Sequence, residues 1–136
     1  MKVVAYSIKA FEKEPLAKAN QKKHNITLIS NSLSETTCHY ARGKNAVIVS
    51  TCDDVSAAVV DKLADLGISF IATRSFSTDH IDKDAIALSG IRLANVAAGS
   101  LPDVNENAIP LTELALQHIA AQTIKNLDLY ALAHLC

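Results

Sequence analysis

The sequence predicts one open α/β domain, with a parallel sheet of five strands in the order 2-1-3-4-5 and helices on both faces. Three observations predict it. Short apolar runs rich in β-branched residues recur along the chain and alternate with stretches of helical period. Three of those runs are apolar without alternation, the pattern of strands covered on both faces. The connections between them are short enough that right-handed crossovers are the remaining topology. A chain of 136 residues, 49% of them hydrophobic, has room for one such core and for no second domain of full size.

The first strand is expected at Lys2 to Ser7 (KVVAYS), followed by a helix with Pro15 in its first turn that runs to about Lys23. The second strand is Asn25 to Ile29 (NITLI), after which Ser34 with Thr37 opens a shorter helix stopped by Gly43. The third strand is Ala46 to Ser50 (AVIVS). The helix behind it is the best defined, because Val55, Val59, Val60, Leu63 and Leu66 share one face, with Asp53, Asp54 or Ser56 at its start and Gly67 as its stop. Ser69 to Thr73 (SFIAT) forms the fourth strand, Lys83 to Ser89 a helix ending at Gly90, and Ile91 to Val96 (IRLANV) the fifth strand. Ala97 to Pro110 (AAGSLPDVNENAIP) has no period and reads as a linker. Leu111 to Leu135 is a long helix whose stripe of Leu116, Ile119, Ala120, Thr123, Ile124, Leu127 and Ala131 lies back on the sheet. This succession is flavodoxin-like.

Charge names no partner. Lysine and arginine number 13 against 14 acidic residues, and a net charge of −1 creates no field that would gather nucleic acid or anionic lipid. The apolar run before Lys9 is too short for a signal peptide, so a cytoplasmic protein is expected. Cys38, Cys52 and Cys136 are odd in number and far apart, which argues against disulfides and zinc. His24, His39, His80, His118 and His134 show no ligand spacing, so surface or capping roles are expected for each and no metal or cofactor is assigned. Lys13, Lys18, Lys22 and Lys23 read as the solvated side of the first helix.

Ligands of an open parallel sheet bind outside the carboxyl ends of its strands. The loop after the first strand, SIKAFEKEP, has no glycine to let backbone amides approach a phosphate. A phospho-receiver site, suggested by Asp53 and Asp54, would need acids after the first strand as well, and none is there. Asp53 and Asp54 are therefore read as helix-start residues. Arg74 to Asp82 (RSFSTDHID) is different: it is dense in small polar residues at the end of the fourth strand, where successive amides could form an anion-binding nest. By composition alone, an ordinary turn with Asp79 or Ser77 at a helix start is the stronger reading.

The segment IATRSFSTDHID, a short helix and GIRLANV together resemble the pattern ATRS-x-G-T-D-H-I-D … G-I-x-x-x-N-V of the catalytic domain in D-2-hydroxyacid dehydrogenases, the D-lactate dehydrogenases among them. The opening MKVVAYSIKAFEKE and the stretch AVIVSTCDDVSAAVVDKLADLGISFIATRS fit the same family, so the resemblance runs from Met1 to about Val96. Leu111 to Leu129 (LTELALQHIAAQTIKNLDL) is similar to the family's returning C-terminal helix. An alignment of NAIPLTELAL with its interdomain helix competes, and the Thr123 to Leu127 ending favours the former.

The resemblance implies a substrate-side domain, residues 1–96 and 111–135, with residues 97–110 standing where the family inserts its NAD-binding Rossmann domain. It implies that the backbone amides of Ser75, Phe76 and Ser77 are what remains of a carboxylate-binding site, Ser77 taking the place of the usual glycine. The family's catalytic arginine and glutamate belong to the inserted domain, its histidine position falls near Asn107, and Ala97 to Ser100 replaces the hinge pattern P-A-Y-S-P. The expectation is an isolated, engineered domain that is not an enzyme by itself and holds no cofactor. A module binding a small carboxylate, or a self-associating one, is the alternative, as a monomer or weak homodimer.

Overall fold

The computed structural model describes residues 2–21, 23–50, 53–74, 80–95 and 113–134. They form β1 (Lys2–Ala5), α1 (Ala10–Asn20), β2 (Asn25–Leu28), a single 3-10 turn (Cys38–Ala41), β3 (Ala46–Val49), α2 (Ala57–Asp65), β4 (Phe70–Thr73), α3 (Lys83–Ser89), β5 (Arg92–Ala94) and α4 (Glu113–His134). All strand pairs are parallel and the order is β2-β1-β3-β4-β5. In register, Val4 lies between Thr27 and Val47, and Ile71 between Val47 and Leu93.

The apolar runs sit where their lack of alternation requires. β3 and β4 are buried along their whole length and β1 at all but its first residue, whereas the edge strands β2 and β5 are part exposed. Because successive side chains point to opposite faces, the central strands feed two cores. Val4, Val47, Val49 and Ile71 pack with Val59, Leu63 and Ile86 of α2 and α3. Val3, Ala5, Ile48 and Ala72 pack with Leu16 of α1 and Ile124 and Leu127 of α4. The helices therefore divide between the two faces, α2 and α3 on one and α1 and α4 on the other.

α3 occupies the expected residues, since its signals are local: the Asp82 carboxylate accepts from the Ala85 amide at 3.0 Å, and Gly90 takes φ 75 beyond its end. α4 agrees within two residues at its start and one at its end. Ala120, Thr123, Ile124 and Leu127 of the expected stripe are buried, and Tyr130 joins them by stacking on Phe70 with ring centroids 4.5 Å apart. The side chains of Leu116 and Ala131, the linker 97–110 and Val96 lie outside the described residues.

The strands are one to three residues shorter than expected, and three helices differ from expectation. α1 begins at Ala10, so Pro15 stands inside it rather than in its first turn, and the helix stops at Asn20. Glu12 reaches back to the Lys9 amide at 3.2 Å and fixes the earlier start, leaving Pro15 to forgo the bond to the Phe11 carbonyl. The expected helix after Ser34 shrinks to one 3-10 turn, because the Thr37 hydroxyl donates to the Ser32 carbonyl at 2.6 Å and accepts from the Ser34 amide at 2.9 Å, bonds that compete with helix. α2 starts at Ala57. Val55, expected on its face, instead makes a parallel bridge to Ile81, and the Asp54 carboxylate accepts from the Ser56 amide at 3.0 Å in a turn before the helix. No helix among the described residues is long and apolar enough to cross a membrane.

Candidate functional site

The carboxyl ends of β1, β2 and β3 meet in a network centred on Asp53. Beyond β1, Ser7 adopts φ 58, a left-handed conformation that L side chains seldom take. Its amide donates to the Asn31 carbonyl at 2.8 Å and its hydroxyl to Asp53 Oδ1 at 2.6 Å. The same oxygen accepts from the Leu33 amide at 2.7 Å, and Oδ2 from the Ser50 amide at 2.6 Å. One carboxylate, 3% exposed, thus ties the segments that follow β1, β2 and β3. Burial of such a group is tolerable when charge-assisted bonds fill its lone pairs. Asp53 is therefore not the helix-start residue expected, and only Asp54 lies in the turn before α2.

Arg74, the residue after β4, is 7% exposed and bonded through all three guanidinium nitrogens. Its amide donates to the Val49 carbonyl at 2.8 Å, Nε to Glu12 Oε2 at 2.8 Å, Nη1 to the Tyr6 carbonyl at 3.1 Å and Nη2 to the Ser7 carbonyl at 3.3 Å. Glu12 joins this stem to the start of α1 through its other oxygen. α4 closes the far side, since Ile119 and Ala120 line a small cavity with Glu12, Leu16 and Arg74. Seven residues on, Ile81 bridges to Val55 and the Asp82 amide donates to the Val55 carbonyl at 2.9 Å. The segment read as a substrate loop is thus fixed at one end to the sheet and α1 and at the other to Val55, ahead of α2. Ser75, Phe76 and Ser77 themselves lie outside the described residues, as do Asn107 and Ala97 to Ser100.

Tyr6 is buried below the network and donates to the Thr37 carbonyl at 2.9 Å. Burial, with Cys38 and Asp53 nearby, pushes its phenol well above the ordinary range, so it stays a neutral donor. His24, expected at the surface or in a cap, is instead 9% exposed and lies 2.7 Å from Asp128 of α4. His39 and His118 are exposed. Among the described residues no group of three or more His, Cys, Asp or Glu side chains could hold a metal. Of the lysines, Lys18 pairs with Glu14 and Lys23 with Asp128, each at 2.9 Å. Nothing in the sequence sets Asp53 apart from Asp54 as a hub, although Ser7 and Ser50 supply hydroxyls at two strand ends.

This architecture defines a doubly wound α/β domain with its polar, cross-braced edge at the carboxyl ends of the strands. The chain matches the family model for the D-isomer specific 2-hydroxyacid dehydrogenase catalytic domain over residues 3–133. An aromatic 2-oxoacid reductase of Clostridium sporogenes is 32% identical over 101 residues, 74% of this chain and 30% of that protein. D-lactate dehydrogenase of Escherichia coli is 31% identical over 99 residues, 72% of this chain and 30% of that protein. The apo structure of the D-lactate dehydrogenase from Escherichia coli superposes with TM-score 0.70 at 30% identity, covering 72% of this chain and 31% of that one. A Salmonella D-lactate dehydrogenase structure, at 22% identity, shares the fold with TM-score 0.70 over 93% of this chain and 50% of its own.

The chain belongs to the D-isomer specific 2-hydroxyacid dehydrogenase family, through its catalytic domain. It spans about 30% of the length of the curated relatives it matches. The expectation that it is not an enzyme is overturned: the matching family model is the catalytic domain itself, and these relatives are a reductase and a dehydrogenase. The described residues do not themselves fit a dinucleotide. In the turn from β1 to α1 the Ser7 and Ile8 amides already donate to Asn31 and Ile29, and Gly43, Gly67 and Gly90 precede β3, β4 and β5 at the opposite edge.

Proposed function

We propose that this chain is the substrate-side domain of a D-2-hydroxyacid dehydrogenase and that it receives the carboxylate of a 2-oxoacid on the backbone amides of Ser75, Phe76 and Ser77. The observation that supports the reading most is Arg74. Its guanidinium is taken up by Glu12 and two carbonyls, so it serves as a fixed stem for the segment that follows rather than as a charge offered to the ligand. Amides projecting from a rigid stem bind an anion without the reorganisation that water would need. Orientation of the carboxylate then sets which face of the 2-oxo carbon is presented for reduction.

In this proposal residues 1–96 and 111–135 make one unit. The buried contacts of Ile124, Leu127 and Tyr130 with the sheet support it. The nucleotide binds elsewhere in the protein. The reaction takes place in a reducing cytoplasm, which the free, buried Cys38 thiol suits.

Thermal unfolding with oxamate, an unreactive 2-oxoacid mimic, tests the site. Binding to the folded chain alone should raise the melting temperature by several degrees once ligand reaches about 10 times its dissociation constant. Chloride at equal ionic strength should leave it unchanged. Ser77→Gly, which removes the side chain from the position where the family carries glycine, should lower the oxamate concentration needed several-fold. Equal responses to oxamate and chloride would contradict the proposal.

A further inference from the structure

Asp53 lies 46 positions from the serine it binds and makes none of the contacts of a helix cap. We infer that it is a positioning residue for the substrate edge, acting through Ser7 on Arg74; the substrate part of this rests on the carboxylate site proposed above.

The chain of contacts is continuous. Ser7 and Gln21 are the non-glycine residues with positive φ among those described, and Gln21 only ends a helix. A serine held at φ 58 relaxes toward extended backbone unless its surroundings hold it there. Two bonds donated by Ser7 hold it there, from its amide to Asn31 and from its hydroxyl, at 2.6 Å, to Asp53. The left-handed turn sets the direction of the Tyr6 and Ser7 carbonyls, and those carbonyls receive Nη1 and Nη2 of Arg74. Asp53 is braced in turn by the Leu33 and Ser50 amides, so it cannot follow Ser7 if that residue moves. Loosening the carboxylate therefore frees Ser7, reorients two carbonyls and releases one side of the guanidinium. A carboxylate serving only as internal glue would lower stability and leave the surviving folded molecules unaltered at Arg74.

The experiment uses the full chain with Asp53→Asn, Ser7→Ala and Ser7→Gly, each studied well below its own melting temperature. Two quantities are read: the exchange rate of the Arg74 Nε proton, followed by its own resonance, and the affinity for oxamate. Asp53→Asn and Ser7→Ala should each accelerate Nε proton exchange about tenfold, whereas Ser7→Gly, which adopts positive φ freely, should retain most of the protection. Oxamate affinity should fall in the same order. Should Asp53→Asn fail to fold, the comparison of Ser7→Ala with Ser7→Gly decides. Unchanged Arg74 exchange in Ser7→Ala, or equal loss in the alanine and glycine variants, would overturn the inference. Absence of oxamate binding to the unsubstituted chain would defeat the carboxylate site instead, and the exchange rates would still judge the link from Asp53 to Arg74.

Discussion

Arg74 and Asp53 brace the carboxyl edge by opposite chemistry, one donating to carbonyls and a carboxylate, the other accepting from amides and hydroxyls. Neither role was legible in the sequence. Asp53 follows a strand and precedes a helix, the place where an acid commonly caps, and nothing local announces a bond to Ser7. Arg74 stands at the start of the loop RSFSTDHID and inside the family pattern ATRS-x-G-T-D-H-I-D, but its partners, Glu12, Tyr6 and Ser7, stand more than sixty positions away. Contacts at that separation exist only once β1 and β4 lie in one sheet. Removing the guanidinium leaves Glu12 and two carbonyls without their donor, so Arg74→Ala should lower unfolding free energy by about 3 kcal/mol. Urea denaturation measures it, and a loss below about 1 kcal/mol would show the Arg74–Glu12 pair to be as weak as a surface one.

Among the elements, local signals mark α3 but mislead at α1 and after Ser34, where side-chain bonds to nearby backbone compete with the signals that predict a helix. α3 carries its cap and its glycine within one turn of its ends. α1 was displaced because Pro15 suggested a first turn, while the Glu12 bond to Lys9 sets the true start. The seat of α4 depends on a contact that the spacing of histidines could not reveal. Asp128 lies 2.7 Å from His24 and 2.9 Å from Lys23, and Asn20 holds the His24 backbone on both its amide, at 3.0 Å, and its carbonyl, at 2.9 Å. Burial raises the Asp128 carboxyl, but the hydrogen bonds from Lys23 and His24 outweigh it and hold the group below its usual value. A lowered folded value gives stability that is present above the unfolded value of about 3.9 and is lost as pH falls through the folded one. Melting temperature should therefore drop with acidification below about pH 4 in the unsubstituted chain more steeply than in Asp128→Asn. Parallel curves would show that the contact contributes nothing to the docking of α4.

At the scale of the whole molecule, the strand order, the two cores and the division of helices between faces all follow from patterns visible in the chain. Continuous apolar runs went to β1, β3 and β4 in the centre, and the weaker runs became the edges β2 and β5. Burial of the centre also fixes an alkaline limit. The Tyr6 phenol is raised in the fold, so its contribution is present below the unfolded value of about 10 and is lost as pH rises beyond it, where the unfolded chain gives up the proton first. Stability should fall above about pH 10, and Tyr6→Phe should flatten that fall at the cost of roughly 1 kcal/mol for the bond to the Thr37 carbonyl. An unaltered slope in Tyr6→Phe would place the alkaline transition on another group.

The proposed reception of a 2-oxoacid carboxylate at the end of β4 is tested by site-resolved titration. Oxamate added to uniformly 15N-labelled chain should shift the amide signals of Ser75, Phe76 and Ser77 along one saturating curve, with smaller changes at Arg74 and none at the amino edge of the sheet around Gly43 and Asn45. Saturating shifts confined to the amino edge, or no shift at Ser75 to Ser77 up to tens of millimolar oxamate, beyond about 2–3 kcal/mol of binding free energy, would contradict it.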